Sequence, residues 1–346
     1  MSSRGIYTLA NDAVYDQFIG LINSIEANVS PEIPIYVIPY NQHCDRVKRE
    51  IDTRKNVIFY ENKESIDRWD AFTEEVWAAH PITKQASFKR PKWYKSPLMR
   101  KMTAFDGPAE EFVFYDADSL AMQPLDKVFA KLREYDFVFD DWEHAKATPV
   151  AAFDFSLVQQ DLGLLESEAR TKIHCSSFFG SKRGLLNAQD QVVLKQHLIQ
   201  NQEIAWINEK SWWCDADLFS YLTLRLDRPT FNFTLSTDGQ DRTGNCANID
   251  PFVVRDHLLY NKDGLKPIHR LHYMGYSSIE FARLSQGEAV QIPYAEVFLH
   301  YRFLKNPVEK PRSLKSPSPV VRFNRFMNKA ATKVSATLEN LVSQQN

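Results

Sequence analysis

Apolar and polar positions along this chain switch repeatedly between two periods. Gly5 to Ala10 is a short apolar run, and Val14 to Ala27 follows with Phe18, Leu21, Ile22 and Ile25 at helical spacing. Pro34 to Pro39 encloses the run Ile35-Tyr36-Val37-Ile38, Cys44 to Asp52 reads as a helix, and Val57 to Tyr60 reads as a third strand. Strand, helix, strand, helix, strand in so short a span predicts a parallel sheet covered by helices. Ser65 to Trp93 is mixed and rich in aromatics, and Pro97 to Phe105 is expected to be helical. Pro124 to Phe129 opens another helix, Asp136 to Asp140 is another strand, and Lys172 to Gly180 is strand-like. Trp212 to Arg225 reads as a helix, with Phe231 to Phe233 and Ile268 to Tyr273 as late strands.

The sharpest feature lies between these elements. Phe112-Val113-Phe114-Tyr115 is a fully apolar run, as expected of a central strand buried on both faces, and it ends in Asp116-Ala117-Asp118. Alternation with period two places Asp116 and Asp118 on the same side at the strand's carboxyl end. In open α/β sheets that edge is where ligands bind. Paired hard oxygens there suit a divalent metal that shares its shell with a phosphate. Asp215-Ala216-Asp217 repeats the triplet, but at the start of an expected helix, where residues two apart point in different directions. The first triplet is therefore assigned the metal, and Asp215 at most a positioning role.

Composition narrows the classes. The chain has 346 residues, enough for one large α/β domain, and a net charge of −2 gives no support to nucleic-acid binding. Neither a GxGxxG nor a P-loop sequence occurs in the opening unit, so glycine-built phosphate cradles are absent. The four cysteines, Cys44, Cys175, Cys214 and Cys246, form no CxxC pair and read as free thiols of a reducing compartment. With no apolar leader before the first strand and no span-length apolar window, the expected location is cytoplasmic.

From Lys305 the character changes, with eight basic residues against one acid through Lys333. Asn306 to Pro319 reads as a linker. Val320 to Val342 reads as a basic amphipathic helix, which offers a peripheral contact with an anionic membrane or a partner, or packs on the domain. The expected division is a catalytic domain over 1–304 and a basic linker and helical tail over 305–346.

Residue by residue, Tyr7-Thr8-Leu9-Ala10-Asn11-Asp12-Ala13-Val14-Tyr15 resembles the nucleotide-binding opening of the GT-A glycosyltransferases, most of all the glycogenin-like family 8. By that resemblance Thr8, Leu9, Asn11, Asp12 and Tyr15 hold the nucleoside of a UDP-sugar. Phe114 to Leu120 is similar to the family's Asp-x-Asp strand, in which Asp116, Ala117 and Asp118 contact manganese and the diphosphate. Arg100-Lys101 is similar to the basic residue ahead of that strand, and either of the two cations can take its role. Ser176 to Gly180 resembles the strand lining the sugar pocket but lacks its asparagine. Trp213 to Asp217 is similar to the Asp-Gln segment beside the reacting sugar, with alanine in place of glutamine. His272-Tyr273-Met274-Gly275 resembles the late His-x-x-Gly, whose histidine completes the metal shell and whose glycine admits phosphate, with His269 as local competitor. The family's following Lys-Pro-Trp is missing, and Tyr276-Ser277-Ser278 stands there.

The resemblance implies an α/β, GT-A (Rossmann-like) fold with a mostly parallel central sheet and helices on both faces. It further implies a hexosyltransferase that retains anomeric configuration and uses Mn²⁺ or Mg²⁺ on Asp116, Asp118 and His272. Asp215 and Asp217 then orient sugar or acceptor, and the partners are a nucleotide-sugar and a carbohydrate, lipid or protein acceptor. The alternatives are a degenerate, non-catalytic relative that binds a nucleotide or partner, an Asp-dependent phosphohydrolase and a sugar nucleotidyltransferase.

Overall fold

The computed structural model describes residues 3–85, 88, 95–140, 153–208, 214–236 and 241–318. Its centre is a sheet of seven strands in the order β3-β2-β1-β4-β7-β6-β8. The strands are β1 (Arg4–Ala10), β2 (Ile35–Pro39), β3 (Val57–Phe59), β4 (Glu111–Asp116), β6 (Phe137–Phe139), β7 (Phe178–Lys182) and β8 (Thr230–Asn232). The pairs β1–β2, β2–β3, β1–β4 and β6–β8 are parallel. The two ladders made by β7 run antiparallel. The sheet is thus mostly parallel, and its strands read as continuous apolar runs because both faces are covered.

Alternation sorts those runs into two cores. Tyr7, Leu9, Phe112, Phe114 and Phe179 face one core, filled by α3 (Lys63–Ala79), α8 (Asp215–Leu226) and the 3₁₀ segment Ser96–Asp106. Ile6, Ala10, Val37, Val113 and Tyr115 face the other, under α1 (Tyr15–Asn28), α2 (Asp45–Ile51) and α4 (Asp126–Lys131). A third core lies beneath a small antiparallel ladder of β5 (Ser119–Ala121) with β11 (Arg270–His272). The helices α9 (Ser278–Ser285) and α10 (Ala295–Arg302) cover it, and both pack on α1. The remaining elements are the helices α5 (Phe155–Leu162) and α7 (Ala188–Lys195) and the antiparallel pair β9 (Phe252–Arg255) and β10 (Leu258–Asn261).

Several sequence expectations change here. Ser65 to Trp93, read as mixed, opens with the long helix α3, whose Ile66, Trp69, Phe72, Val76 and Trp77 are buried at helical spacing. The helix expected over Pro97 to Phe105 is 3₁₀ in form. The strand-like stretch from Lys172 holds the end of α6 (Glu166–Lys172), and the strand β7 begins only at Phe178. From the expected linker, Lys315 pairs with Gly287 and Ala289, and Leu314 packs on the third core, so this segment lies against the domain. The tail helix expected over Val320 to Val342 falls outside the described residues. No helix among the described residues is long and apolar enough to cross a membrane.

Candidate active site

The site grows from the carboxyl end of β4. Its last residue, Asp116, lies beside Leu9 of β1, and its N–H donates to the Ser177 carbonyl at 2.9 Å. Period-two alternation along one strand does not bring Asp118 to Asp116, because the strand ends there. Ala117 and Asp118 form a turn, and the chain enters β5 in a different sheet. That exit delivers the histidine. In the β5–β11 ladder His272 lies opposite Ser119, while the Tyr273 N–H donates to the Asp118 carbonyl at 2.9 Å. Ligand atoms of Asp116, Asp118 and His272 all lie within 4.8 Å of one another, with His272 Nε2 3.4 Å from Asp118 Oδ1. His269 is buried elsewhere, its Nδ1 3.2 Å from Asp140 Oδ2.

Two carboxylates and an imidazole in that spacing offer the hard oxygen and nitrogen donors that suit Mn²⁺ or Mg²⁺. The electrostatics agree. Burial raises the Asp116 carboxyl above the ordinary carboxylate range, Lys101 opposes this, and the neighbouring Asp118 and Asp215 carboxylates add to it. Burial also pushes Asp118 upward, but His272, a backbone hydrogen bond and Lys101 together outweigh it and hold that carboxyl low. A divalent cation held there would relieve the repulsion between the two acids.

Behind the cluster lies a fully buried cation. Lys101 Nζ sits 2.7 Å from Asp215 Oδ2 and 3.2 Å from Asp116 Oδ1, and it donates to the Ser176 hydroxyl at 3.1 Å. The Ser176 hydroxyl in turn donates to Asp215 Oδ2 at 2.5 Å. Burial works against the Lys101 charge, yet the carboxylates of Asp116 and Asp215 outweigh it and hold the ammonium pKa above its usual value. The same contacts hold the Asp215 carboxyl below the usual range despite its burial. Arg100, one residue earlier, points elsewhere. Its guanidinium pairs with Asp70 at 2.6 Å and donates to the carbonyls of Pro39 and Tyr40.

Asp116 and Asp118 form one wall of a cavity of about 420 Å³. Leu9, Asn11 and Ala117, named from the sequence, also line it, as do Gln17, Tyr40, Lys95, Leu98 and Tyr276 to Ser278, which were not assigned to a site. Gly275 occupies a turn closed by the Tyr276 N–H on the Tyr273 carbonyl, at φ +87°, a conformation that favours glycine. Other expected nucleoside contacts hold the scaffold. Asp12 Oδ1 accepts the N–H groups of Arg46 and Val47 at the start of α2. Tyr15 donates its hydroxyl to Glu50 under the Arg46 guanidinium, and Thr8 is fully buried on the α1 face. Asp217 sits partly buried in the first turn of α8. The partners of Lys101 had no local signal, since each contact crosses between distant segments.

No protein-family model matches the sequence, and no curated protein is significantly similar to it. Among solved structures, the apo form of the bifunctional glycosyltransferase WbbM superposes over 90% of this chain at 12% identity and a TM-score of 0.52. The match covers 52% of WbbM, so the chain spans about half the length of that protein. The galactosyltransferase LgtC, in complex with donor and acceptor sugar analogues, matches over 92% of this chain and 99% of its own, at 13% identity and a TM-score of 0.47. Mouse xyloside xylosyltransferase 1 matches over 66% of this chain and 84% of its own, at 10% identity and 0.45. At such identities the likeness to WbbM speaks for the fold, and the fold of this chain is of the GT-A, Rossmann-like glycosyltransferase type.

Proposed function

We propose that this protein is a metal-dependent glycosyltransferase that moves a hexose from a nucleoside-diphosphate sugar, UDP-linked, to a carbohydrate, lipid or protein acceptor. One observation carries the reading: Asp116 and Asp118, on the wall of a nucleotide-sized cavity at the carboxyl ends of β1 and β4, converge with the buried His272 of a second sheet. Asp116, Asp118 and His272 would hold Mn²⁺ or Mg²⁺. When bound, that cation supplies a Lewis acid for the charge that builds on the departing diphosphate.

The rest of the chemistry falls to the chain's own groups. Asn11 and Leu9 offer a polar and an apolar wall to the nucleoside. Lys101 is 0% exposed and already engaged, so it acts as an internal counter-ion and not as a contact to the donor. Through it and Ser176, Asp215 stays ionised with Oδ2 occupied, and its part in this reading is to orient the sugar. Retention of anomeric configuration and a cytoplasmic location belong to the same reading.

A hydrolysis and transfer assay over a panel of nucleotide sugars with Mn²⁺ tests it. The expected outcome is metal-dependent release of one nucleoside diphosphate. Release of phosphate from an aryl phosphate, with no nucleotide-sugar dependence, would overturn the proposal in favour of a phosphohydrolase.

A further inference from the structure

The β5–β11 ladder that brings His272 to the two acids also sets a serine against it. In this antiparallel pair Ser119 lies directly opposite His272, and Leu120 lies opposite Leu271. Both leucines enter the third core, so by alternation Ser119 and His272 share the other face of the ladder. Side chains opposed in this way have Cβ atoms about 4.5–5.5 Å apart, within reach of each other's polar ends.

Those polar ends are both orphaned. Ser119 is 1% exposed and His272 4%, and neither Ser119 Oγ nor His272 Nδ1 has a hydrogen-bond partner. Burying a polar group unpaired costs stability, so two such atoms facing one another call for an explanation. They complement each other, since a hydroxyl oxygen accepts and an imidazole N–H donates.

The other ring nitrogen decides the direction of that bond. Nε2 is the atom turned to Asp118, 3.4 Å from its Oδ1. A cation there would take the Nε2 lone pair, so the ring proton of a neutral imidazole belongs on Nδ1. Ligating histidines almost always give that second N–H to a neighbouring acceptor, which fixes both tautomer and ring direction. Two other buried acceptors without a partner belong to Asp140 and Asn245. The Asp140 carboxylate is turned to His269 and Arg270, and the Asn245 amide donates to the Asp140 carbonyl. Ser119 is the residue that the ladder register places across from the ring.

We infer that Ser119 is the positioning residue for His272, whose Nδ1–H its hydroxyl oxygen accepts, so that the Nε2 lone pair is held toward Asp118 and the cation. This inference rests on the reading of Asp116, Asp118 and His272 as a metal site. It gives the residue after the carboxylate pair a role that the pair itself does not supply.

The test is calorimetric titration of the full chain with Mn²⁺, alone and in the presence of UDP, alongside thermal unfolding of the metal-free protein. Ser119→Ala is expected to weaken Mn²⁺ at least about tenfold. Its metal-free melting temperature should stay at or above that of wild type, because the hydroxyl removed is unpaired there. A serine that only packed the ladder would do the reverse, lowering the melting temperature and leaving the metal affinity alone. The ring gives a second reading. With Zn²⁺ as a diamagnetic probe, NMR spectra of the histidine ring nitrogens should show His272 protonated at Nδ1 and ligated through Nε2, its signal identified by loss in His272→Gln. Ligation through Nδ1, or wild-type Mn²⁺ affinity in Ser119→Ala, would overturn the role of Ser119 and leave the metal site standing. No Mn²⁺ binding by the wild type in either condition would overturn the metal reading and this inference with it.

Discussion

Two Asp-Ala-Asp triplets stand in this chain, and they behave differently because of the backbone that carries them. Residues 116–118 leave a strand through a turn, and that exit presents both carboxylates to the cavity beside His272. Residues 215–217 open the helix α8, where two steps rotate the side-chain direction by roughly 200°. Asp215 turns onto Lys101 and Ser176, and Asp217 cannot follow it. The same three letters thus make a paired ligand in one place and a single anchored carboxylate in the other. Lys101 joins the two triplets, with Asp116 on one side and Asp215 on the other.

The widest break in this comparison is Lys101→Met. It strips a fully buried cation from two partly buried carboxylates, and breaking a fully buried pair costs about 3–5 kcal/mol, which solvent at the carboxylates reduces. Chemical denaturation should report a loss of about 2–3 kcal/mol, and a change below about 1 kcal/mol would mean that the triplets are not coupled through this residue. Next is the contrast between the triplets themselves. Asp118→Ala should lower Mn²⁺-dependent UDP affinity by roughly a hundredfold, the scale of a lost charge-stabilising contact. Asp217→Ala should leave it within about twofold, as expected when no contact to the ligand is removed. Equal effects on calorimetry would erase the distinction between strand exit and helix start.

A smaller effect sharpens the link. Ser176→Ala removes one hydrogen bond each from Lys101 and Asp215, worth about 1–3 kcal/mol of stability where charged groups are buried. Its metal-dependent nucleotide affinity should change only slightly. The smallest effect is in acid. The Asp215 carboxyl is held lower in the fold than in the unfolded chain, so its contribution is complete above the usual value of about 4 and fades as the pH falls through the lower folded value. Thermal unfolding of Asp215→Asn should therefore show a shallower loss of melting temperature below that pH. A profile parallel to wild type would remove Asp215 from the acid response.

Much of this was legible before folding. The runs at Gly5 to Ala10, Ile35 to Ile38 and Phe112 to Tyr115 are strands of the central sheet because a strand covered on both faces must be apolar throughout. The helix α3 was legible too, in the spacing of Ile66, Trp69, Phe72 and Val76, but its aromatics disguised it as irregular. The short strand β5 was not, since three residues after a turn carry no period. Nor could spacing choose between Arg100 and Lys101, which differ by one step of a 3₁₀ helix and end in different ion pairs.

The chain's own pattern therefore determined the apolar strands, the helix-covered sheet and the presence of two carboxylates at a strand's end, because these follow from local period and burial. Tertiary structure alone decided that His272, more than 150 residues away in sequence, pairs across from Ser119, and that Lys101 serves both triplets. Those are contacts between segments distant in sequence, fixed by packing and by the electrostatics of buried groups.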